Sequence, residues 1–245
     1  MDEKKRLRRK GSQPNIGAIT LRRMADVAAY GAWLHERFES YVGKRVLEVG
    51  SGVGNQTRFL LGRERVVVSD IDPDYRSELQ ARFGNRPGVR VAAFTFPLSE
   101  AERAEALAER VDTIVCLNVL EHIEDDGRAV RDFASVLPPG GRLILLLPAM
   151  PSLYGSLDRH LGHYRRYDPV GLRRLVSGAG FEVETLRYLN RPGVFGWWLN
   201  SRVLRRRLLP RLQVRAFRLL LPLLRREERH PPSFGMSLLV LARKP

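Results

Sequence analysis

Four stretches of this chain hold residue types at spacings that can do chemistry. The first is Glu48-Val49-Gly50-Ser51-Gly52-Val53-Gly54-Asn55, an acid followed by glycines at alternate positions. A turn without side chains, set between a short apolar run and a helix start, turns backbone N–H groups toward a ligand at the carboxyl edge of a parallel sheet. The second is Ser69-Asp70-Ile71-Asp72-Pro73, with Asp70 twenty residues after Gly50. A carboxylate there can accept the hydroxyls of a ribose, or it can cap the helix that follows, and the spacing leaves Asp70 and Asp72 open to either role. The third is Asn118-Val119-Leu120-Glu121-His122, at the end of a later apolar run.

The fourth stretch, Tyr154–Tyr167, packs three arginines, two histidines and three tyrosines into fourteen residues. Arg159, Arg165 and Arg166 can grip phosphate or carboxylate oxygens as a planar fork. His160 and His163 change charge near neutral pH and can act as bases. Glu121, His122, His160, His163 and Tyr164 are therefore the catalytic candidates, and for His122 and Glu121 fixing their loop is the competing role. Tyr154, Arg159, His160, His163, Arg165, Arg166, Tyr167 and the later Trp197 are the acceptor-binding candidates. Two histidines three apart invite a metal, but no third ligand of the right type is evident for them, so no metal is assigned.

These residues need a frame. Apolar runs at Arg45–Val49, Arg65–Asp70, Val89–Phe94, Thr113–Asn118, Arg142–Leu147, Phe181–Tyr188 and Met236–Ala242 read as strands. Helical patterns at Asn55–Leu61, Pro73–Phe83, Ser99–Glu109, Asp126–Val136 and Pro169–Ser177 alternate with them. Such alternation predicts βαβ units and a parallel sheet covered on both faces. Ile16–Tyr41, with Leu21, Met24, Val27, Trp33, Leu34 and Phe38 near helical spacing, precedes the first strand. It is placed to lid the glycine turn or to pack on the sheet. Two connections, Pro148–Asp168 and Asn190–Phe234, exceed the length of simple turns, and long connections usually carry function or lack order.

The glycine turn, the Asp70 spacing, Asn118-Val119-Leu120-Glu121-His122 and Leu137-Pro138-Pro139-Gly140-Gly141-Arg142 together resemble class I S-adenosylmethionine-dependent methyltransferases, type 11/12-like. The resemblance covers about 100 residues. It implies a Rossmann-like, seven-stranded, mostly parallel α/β sheet whose last strand is antiparallel, with S-adenosylmethionine as cofactor. By the same resemblance, Glu48 lies near the methionine amino group and Gly50, Ser51, Gly52, Gly54 and Asn55 lie against methionine and ribose. Asp70, with Ile71, holds the ribose, and Asn118 with Leu120 lies near the transferred methyl. Many relatives place an acid after the third strand for adenine. Here that region reads Ala93-Phe94-Thr95-Phe96-Pro97, which leaves backbone groups, Thr95 or an aromatic wall.

The net charge of +15 is concentrated in two places. Residues 1–10 carry +4, a basic tail expected to be disordered through residue 15, and residues 191–230 carry +9. Residues 16–245 are then one domain, with 191–234 as a basic amphipathic helical insertion. An arginine face beside Trp197, Trp198 and many leucines can rest on an anionic membrane, cap a substrate cavity, or pack on the sheet. The single Cys116 excludes a disulfide framework, and no signal peptide or membrane-spanning run is read, so a cytoplasmic protein, membrane-associated through that insertion, is expected. The expected reaction is methyl transfer to a small or amphipathic anionic acceptor, a prenyl or other lipid phosphate or a carboxylate. RNA methylation, or binding of the cofactor without catalysis, are the alternatives. Against nucleic acid, the fourth strand is not followed by the Asn/Asp-Pro-Pro-Tyr/Phe signature of enzymes that methylate base amino groups.

Overall fold

The alternation of apolar runs and amphipathic segments produces seven strands: β1 (Arg45–Val49), β2 (Arg65–Ser69), β3 (Val89–Ala92), β4 (Thr113–Leu117), β5 (Arg142–Pro148), β6 (Glu182–Leu189) and β7 (Ser237–Arg243). In the computed structural model, which describes residues 16–25, 28–227 and 229–245, they form one sheet in the order β3-β2-β1-β4-β5-β7-β6. β1 lies parallel to both β2 and β4, and β7 runs antiparallel between β5 and β6. The central strands are buried along nearly their whole length, as continuous Val/Ile/Leu runs require when both faces are covered. The basic tail 1–15 and Val27 lie outside the described residues, as do the side chains of Met24 and Arg215.

The helices are α1 (Ile16–Ala25), α2 (Ala28–Glu36), α3 (Thr57–Leu60), α4 (Pro73–Phe83), α5 (Glu100–Ala108), α6 (Asp126–Val136), α7 (Ser156–Leu161), α8 (Pro169–Gly178), α9 (Arg191–Trp198), α10 (Arg211–Ala216) and α11 (Leu221–Arg226). Their starts follow local chemistry. Asp72, Ser99, Asp125 and Asp168 each accept a backbone N–H from the first turn of α4, α5, α6 and α8, and Ser99 with Glu102 completes a reciprocal capping box. One expectation is corrected. The helix read at Asn55–Leu61 shrinks to the single turn α3, because residues 51–56 are spent on the glycine turn and Leu61 is extended before Gly62.

Two apolar layers enclose the sheet. One centres on Phe133, Leu143, Leu145 and Leu172, the other on Trp33, Leu34, Phe38, Leu79 and Leu239. α2 belongs to the second layer, and its Tyr30, Gly31 and Leu34 also border the cavity at the carboxyl edge of the sheet. Both long connections carry helices among the described residues. Pro148–Asp168 contains a short turn and α7, tied back by the Ala149–Tyr167 bridge, and Asn190–Phe234 contains α9, one π turn (Leu199–Val203), α10 and α11. The arginine face read along residues 211–225 is interrupted at Phe217–Leu220 by a tighter helical turn just before Pro222.

Phe133 is fully buried, with its ring 4.8 Å from that of Phe96. Phe133→Ala should cost ~3–5 kcal/mol in a denaturant titration; a loss under ~1 kcal/mol would mean that this layer repacks freely.

Candidate active site

At the carboxyl edge, Gly50, Gly52 and Gly54 all take positive φ, at +67°, +54° and +78°. A Cβ on Gly50 would strike Val119, and one on Gly54 would strike Phe83, so two of the three positions demand glycine twice over, by backbone and by space. The bend is held by Ser51 N–H donating to Ser69 O at 2.9 Å and Gly54 N–H to Ser51 O at 2.9 Å. Asp70 fixes it from the side: one carboxylate oxygen accepts Gly52 N–H at 2.8 Å and the other Asp72 N–H at 2.9 Å. The two aspartates therefore act differently. Asp72 caps α4, while Asp70, nearly buried, holds the turn; both border the cavity. Burial pushes the Asp70 carboxyl up, against the two backbone donors.

Glu48 is buried beneath the turn and accepts the Thr57 hydroxyl at 2.5 Å. Burial raises it to about 7. Thr95 stands at the rim, with its N–H donated to Glu102 Oε1 at 2.9 Å between the buried rings of Phe94 and Phe96. Asn118 holds a positive φ of 54° at the end of β4, an uncommon conformation for a residue with a side chain, and its N–H is tied to Leu146 O.

These groups line one cavity of about 890 Å³. Glu48, Gly50, Ser51, Gly52, Asn55, Asp70, Ile71, Thr95 and Asn118 all border it. Leu120 does not: its side chain is fully buried in the core, and Val119 takes the wall position. Gly54 also lies off the cavity, packed against Phe83. α1 and α2 supply the remaining wall through Thr20, Leu21, Tyr30 and Leu34. Asn55 pins α1 by donating to Leu21 O at 3.1 Å, and Tyr30 bonds Asn190 at the end of β6.

At the far end of the same cavity lie Glu121, His122, His163, Arg166 and Trp197. Their fixed point is Asp158, a fully buried carboxylate. Oδ1 accepts Arg166 Nε at 2.7 Å and faces His163 Nδ1 at 3.0 Å; Oδ2 accepts Gly155 N–H at 2.9 Å and Trp197 Nε1 at 3.3 Å. Despite the cost of burial, these donors hold the Asp158 carboxyl below its ordinary value. The Arg166 guanidinium stacks over Trp197, 4.7 Å from the ring centroid. Glu121 is fully buried and raised to about 8, chiefly by burial, while burial and the neighbouring His163 push His122 down.

The other candidates in 154–167 do not reach the cavity. His160 is exposed with Nδ1 against Ser156 O on its own helix, and Arg159 and Tyr164 also face outward. Arg165 pairs with Asp126 and donates to Glu124 O. Tyr154 donates to His163 O and Tyr167 to Asp126, so both support the loop. The cause is helical phase: of these candidates, α7 followed by the left-handed Gly162 turns His163 and Arg166 inward. The residue the sequence reading passed over is Asp158, and a signal was present, since it is the sole acid among the fourteen residues.

A family model described as a methyltransferase domain matches residues 21–186. The ubiquinone biosynthesis O-methyltransferase of Bordetella avium is 34% identical over 110 residues, 44% of this chain and 44% of that protein. The one from Coxiella burnetii is 29% identical over 163 residues, 66% and 64% of the two chains. The match thus spans less than half the length of the first of these relatives. Among solved structures, the N-methyltransferase NodS from Bradyrhizobium japonicum, in complex with S-adenosyl-L-homocysteine, superposes with a TM-score of 0.56 at 16% identity, covering 94% of this chain and 99% of NodS. An S-adenosylmethionine-dependent methyltransferase from Mesorhizobium loti gives 0.56 at 15% identity, covering 89% and 98%. At such identity the likeness is one of fold.

A carboxyl raised by burial costs stability as pH rises. Glu48 stays protonated in the fold up to about 7 while the unfolded chain releases its proton near the ordinary 4.5. The penalty is absent below 4.5, grows between the two values and is complete above 7. Denaturant titrations at pH 5 and pH 7.5 should therefore show Glu48→Gln gaining on the natural protein by on the order of 2–3 kcal/mol at the higher pH. Parallel behaviour of the two proteins would contradict the assignment.

Proposed function

Since the chain belongs to the methyltransferase domain family, whose cofactor is S-adenosylmethionine, we propose that it transfers a methyl group to an oxygen of a small amphipathic acceptor carrying an anionic group. The observation that carries this reading is the single cavity, which runs from the glycine turn and Asp70 to Glu121, His163 and Arg166. The residues present fit the cofactor. The turn offers the bare backbone of Gly50 and Gly52, and two buried carboxylates, Glu48 and Asp70, border the space beside it. Asp70 would hold the ribose and Glu48 the amino group. When bound, the cofactor supplies a methyl already activated on a sulfonium, so the chain has to orient the partners and keep water out.

At the acceptor end, Val119, Ile123, Leu161 and Trp197 give the wall its apolar character. Arg166, buried and with one guanidinium nitrogen lacking a protein partner, would take an anionic oxygen of the acceptor. The Glu121–His122–His163 cluster would face the accepting hydroxyl. Oxygen as the accepting atom is supported by the relatives named as ubiquinone biosynthesis O-methyltransferases.

The basic insertion fits a membrane-resident or membrane-delivered acceptor. Phe195, Trp198, Leu204, Leu212, Leu219 and Leu223 stand exposed among Arg202, Arg205, Arg207, Arg211 and Arg218. No helix of the described residues is long and apolar enough to cross a bilayer, and this surface would lie along an anionic leaflet.

The reading is tested with labelled methyl donor and a panel of hydroxylated amphipathic acceptors, some bearing a carboxylate or phosphate, with structured RNA alongside. Label should appear as a methyl ether or ester on an anionic acceptor, and Asp70→Ala should weaken cofactor retention by roughly tenfold or more, the loss of one or more charge-assisted hydrogen bonds. Label on RNA alone would overturn it. In a sedimentation assay, vesicles rich in phosphatidylglycerol should retain the protein where phosphatidylcholine vesicles do not, and Leu212→Glu with Leu219→Glu should release it; equal retention on both would remove the membrane role.

A further inference from the structure

Three ligand-type side chains converge at the acceptor end. Glu121, His122 and His163 each present one donor atom, and the three atoms lie within 4.8 Å of one another. Glu121 is fully buried, yet neither of its carboxylate oxygens has a hydrogen-bond partner. A buried carboxyl left without partners is costly, and such a group calls for an explanation, an absent ion among them. Arg166 does not fill the need: Nε goes to Asp158, a second nitrogen to Ala149 O at 2.7 Å, and the third makes no hydrogen bond to Glu121.

The histidines are set up in a complementary way. The Nδ1 of His163 is engaged by Asp158 at 3.0 Å, which leaves Nε2 facing Glu121 Oε1 at 4.0 Å, too far for a hydrogen bond. An imidazole oriented by a carboxylate on one nitrogen and bare on the other is the usual disposition of a metal ligand. His122 packs edge-on to His163 with ring centroids 4.7 Å apart, and its own ring is held by the backbone of Gly162. Ligands about 2.1 Å from one ion stand roughly 3–3.5 Å apart, so the cluster would close by about 1 Å around a cation.

We propose that Glu121, His122 and His163 form a site for a divalent transition-metal cation, whose open positions face the cavity and bind the acceptor oxygen. Two imidazole nitrogens and one carboxylate suit zinc, manganese or iron better than the all-oxygen demands of magnesium or calcium. This rests on the oxygen-acceptor reading above and names its chemistry: an acceptor hydroxyl, the more so a phenolic one, that a Lewis acid can ionise at neutral pH. The hydroxyl O–H bond breaks with its electron pair left on the metal-bound oxygen, and the proton passes to solvent. That pair then forms the O–CH₃ bond as the S–CH₃ bond breaks and leaves its pair on sulfur. The sequence reading assigned no metal because it searched around His160 and His163; the other two ligands lie some forty residues upstream, at the end of β4.

The test uses the full chain, stripped with chelator, and titrated with Zn²⁺, Mn²⁺ and Co²⁺ by calorimetry, the Co²⁺ complex also by visible absorption. A single ion per chain should bind. Glu121→Gln, His122→Ala and His163→Ala should each weaken binding by roughly tenfold or more, while His160→Ala, three residues away and outside the cavity, should bind as the natural protein does. S-adenosylhomocysteine binding, measured on every variant, reports folding and the cofactor end independently. Retention of S-adenosylhomocysteine without metal binding, or metal bound equally well by Glu121→Gln and His163→Ala, would overturn the site while leaving the methyl-transfer reading intact. Metal binding that follows the three ligands without S-adenosylhomocysteine retention would uphold the site and overturn the methyl-transfer reading instead.

Discussion

The acceptor end of this molecule depends on one buried carboxylate. Asp158 collects hydrogen bonds from Arg166, His163, Gly155 and Trp197, and these belong to both long connections of the fold. A carboxylate so deep is tolerable only because it is paired and its oxygens are saturated. The seam between the two connections continues where Ser156 donates to the carbonyls of Ser201 and Arg206. Take the Asp158 charge away and His163, Arg166 and Trp197 lose their common reference, although none of them belongs to the sheet.

The cofactor end is organised by backbone conformation. Beyond the three glycines, Asn118, Met150 and Asn190 hold positive φ at the carboxyl ends of β4, β5 and β6. Each such residue costs on the order of 1–3 kcal/mol, and strain of this kind gathers where a site must be shaped. Asn118 turns the chain so that Val119 meets Gly50 and Leu120 enters the core; Asn190 caps α9 and reaches Tyr30 of α2. The N-terminal helices are thereby fastened to the far edge of the sheet and close the cavity from above.

The strands were legible to within one or two residues, the central ones because a parallel sheet buried on both faces writes itself as unbroken apolar runs. Glu48, Asp70 and Asn118 were picked out by the family resemblance of their motifs, and each stands at the carboxyl end of a strand beside the cavity. The 154–167 segment was not. Its chemistry was visible as composition, but which side chains face inward depends on the phase of α7 and on the Gly162 turn, and neither has a sequence signal strong enough to choose His163 over His160. Leu120 was misplaced for the same kind of reason, since one residue of rotation after β4 exchanges wall for core. The convergence of Glu121 and His122 with His163 is a tertiary event, bringing together chain positions about forty residues apart.

The central claim is that one cavity places a donor at the glycine turn and an acceptor at the Glu121–His163 end. A crystal structure of the protein grown with S-adenosylhomocysteine tests it most directly. The account predicts the ribose hydroxyls on the Asp70 carboxylate, the amino group toward Glu48 and the sulfur pointing past Asn118 toward His122 and His163. Density for the ligand elsewhere, or a sulfur turned away from that cluster, would contradict it.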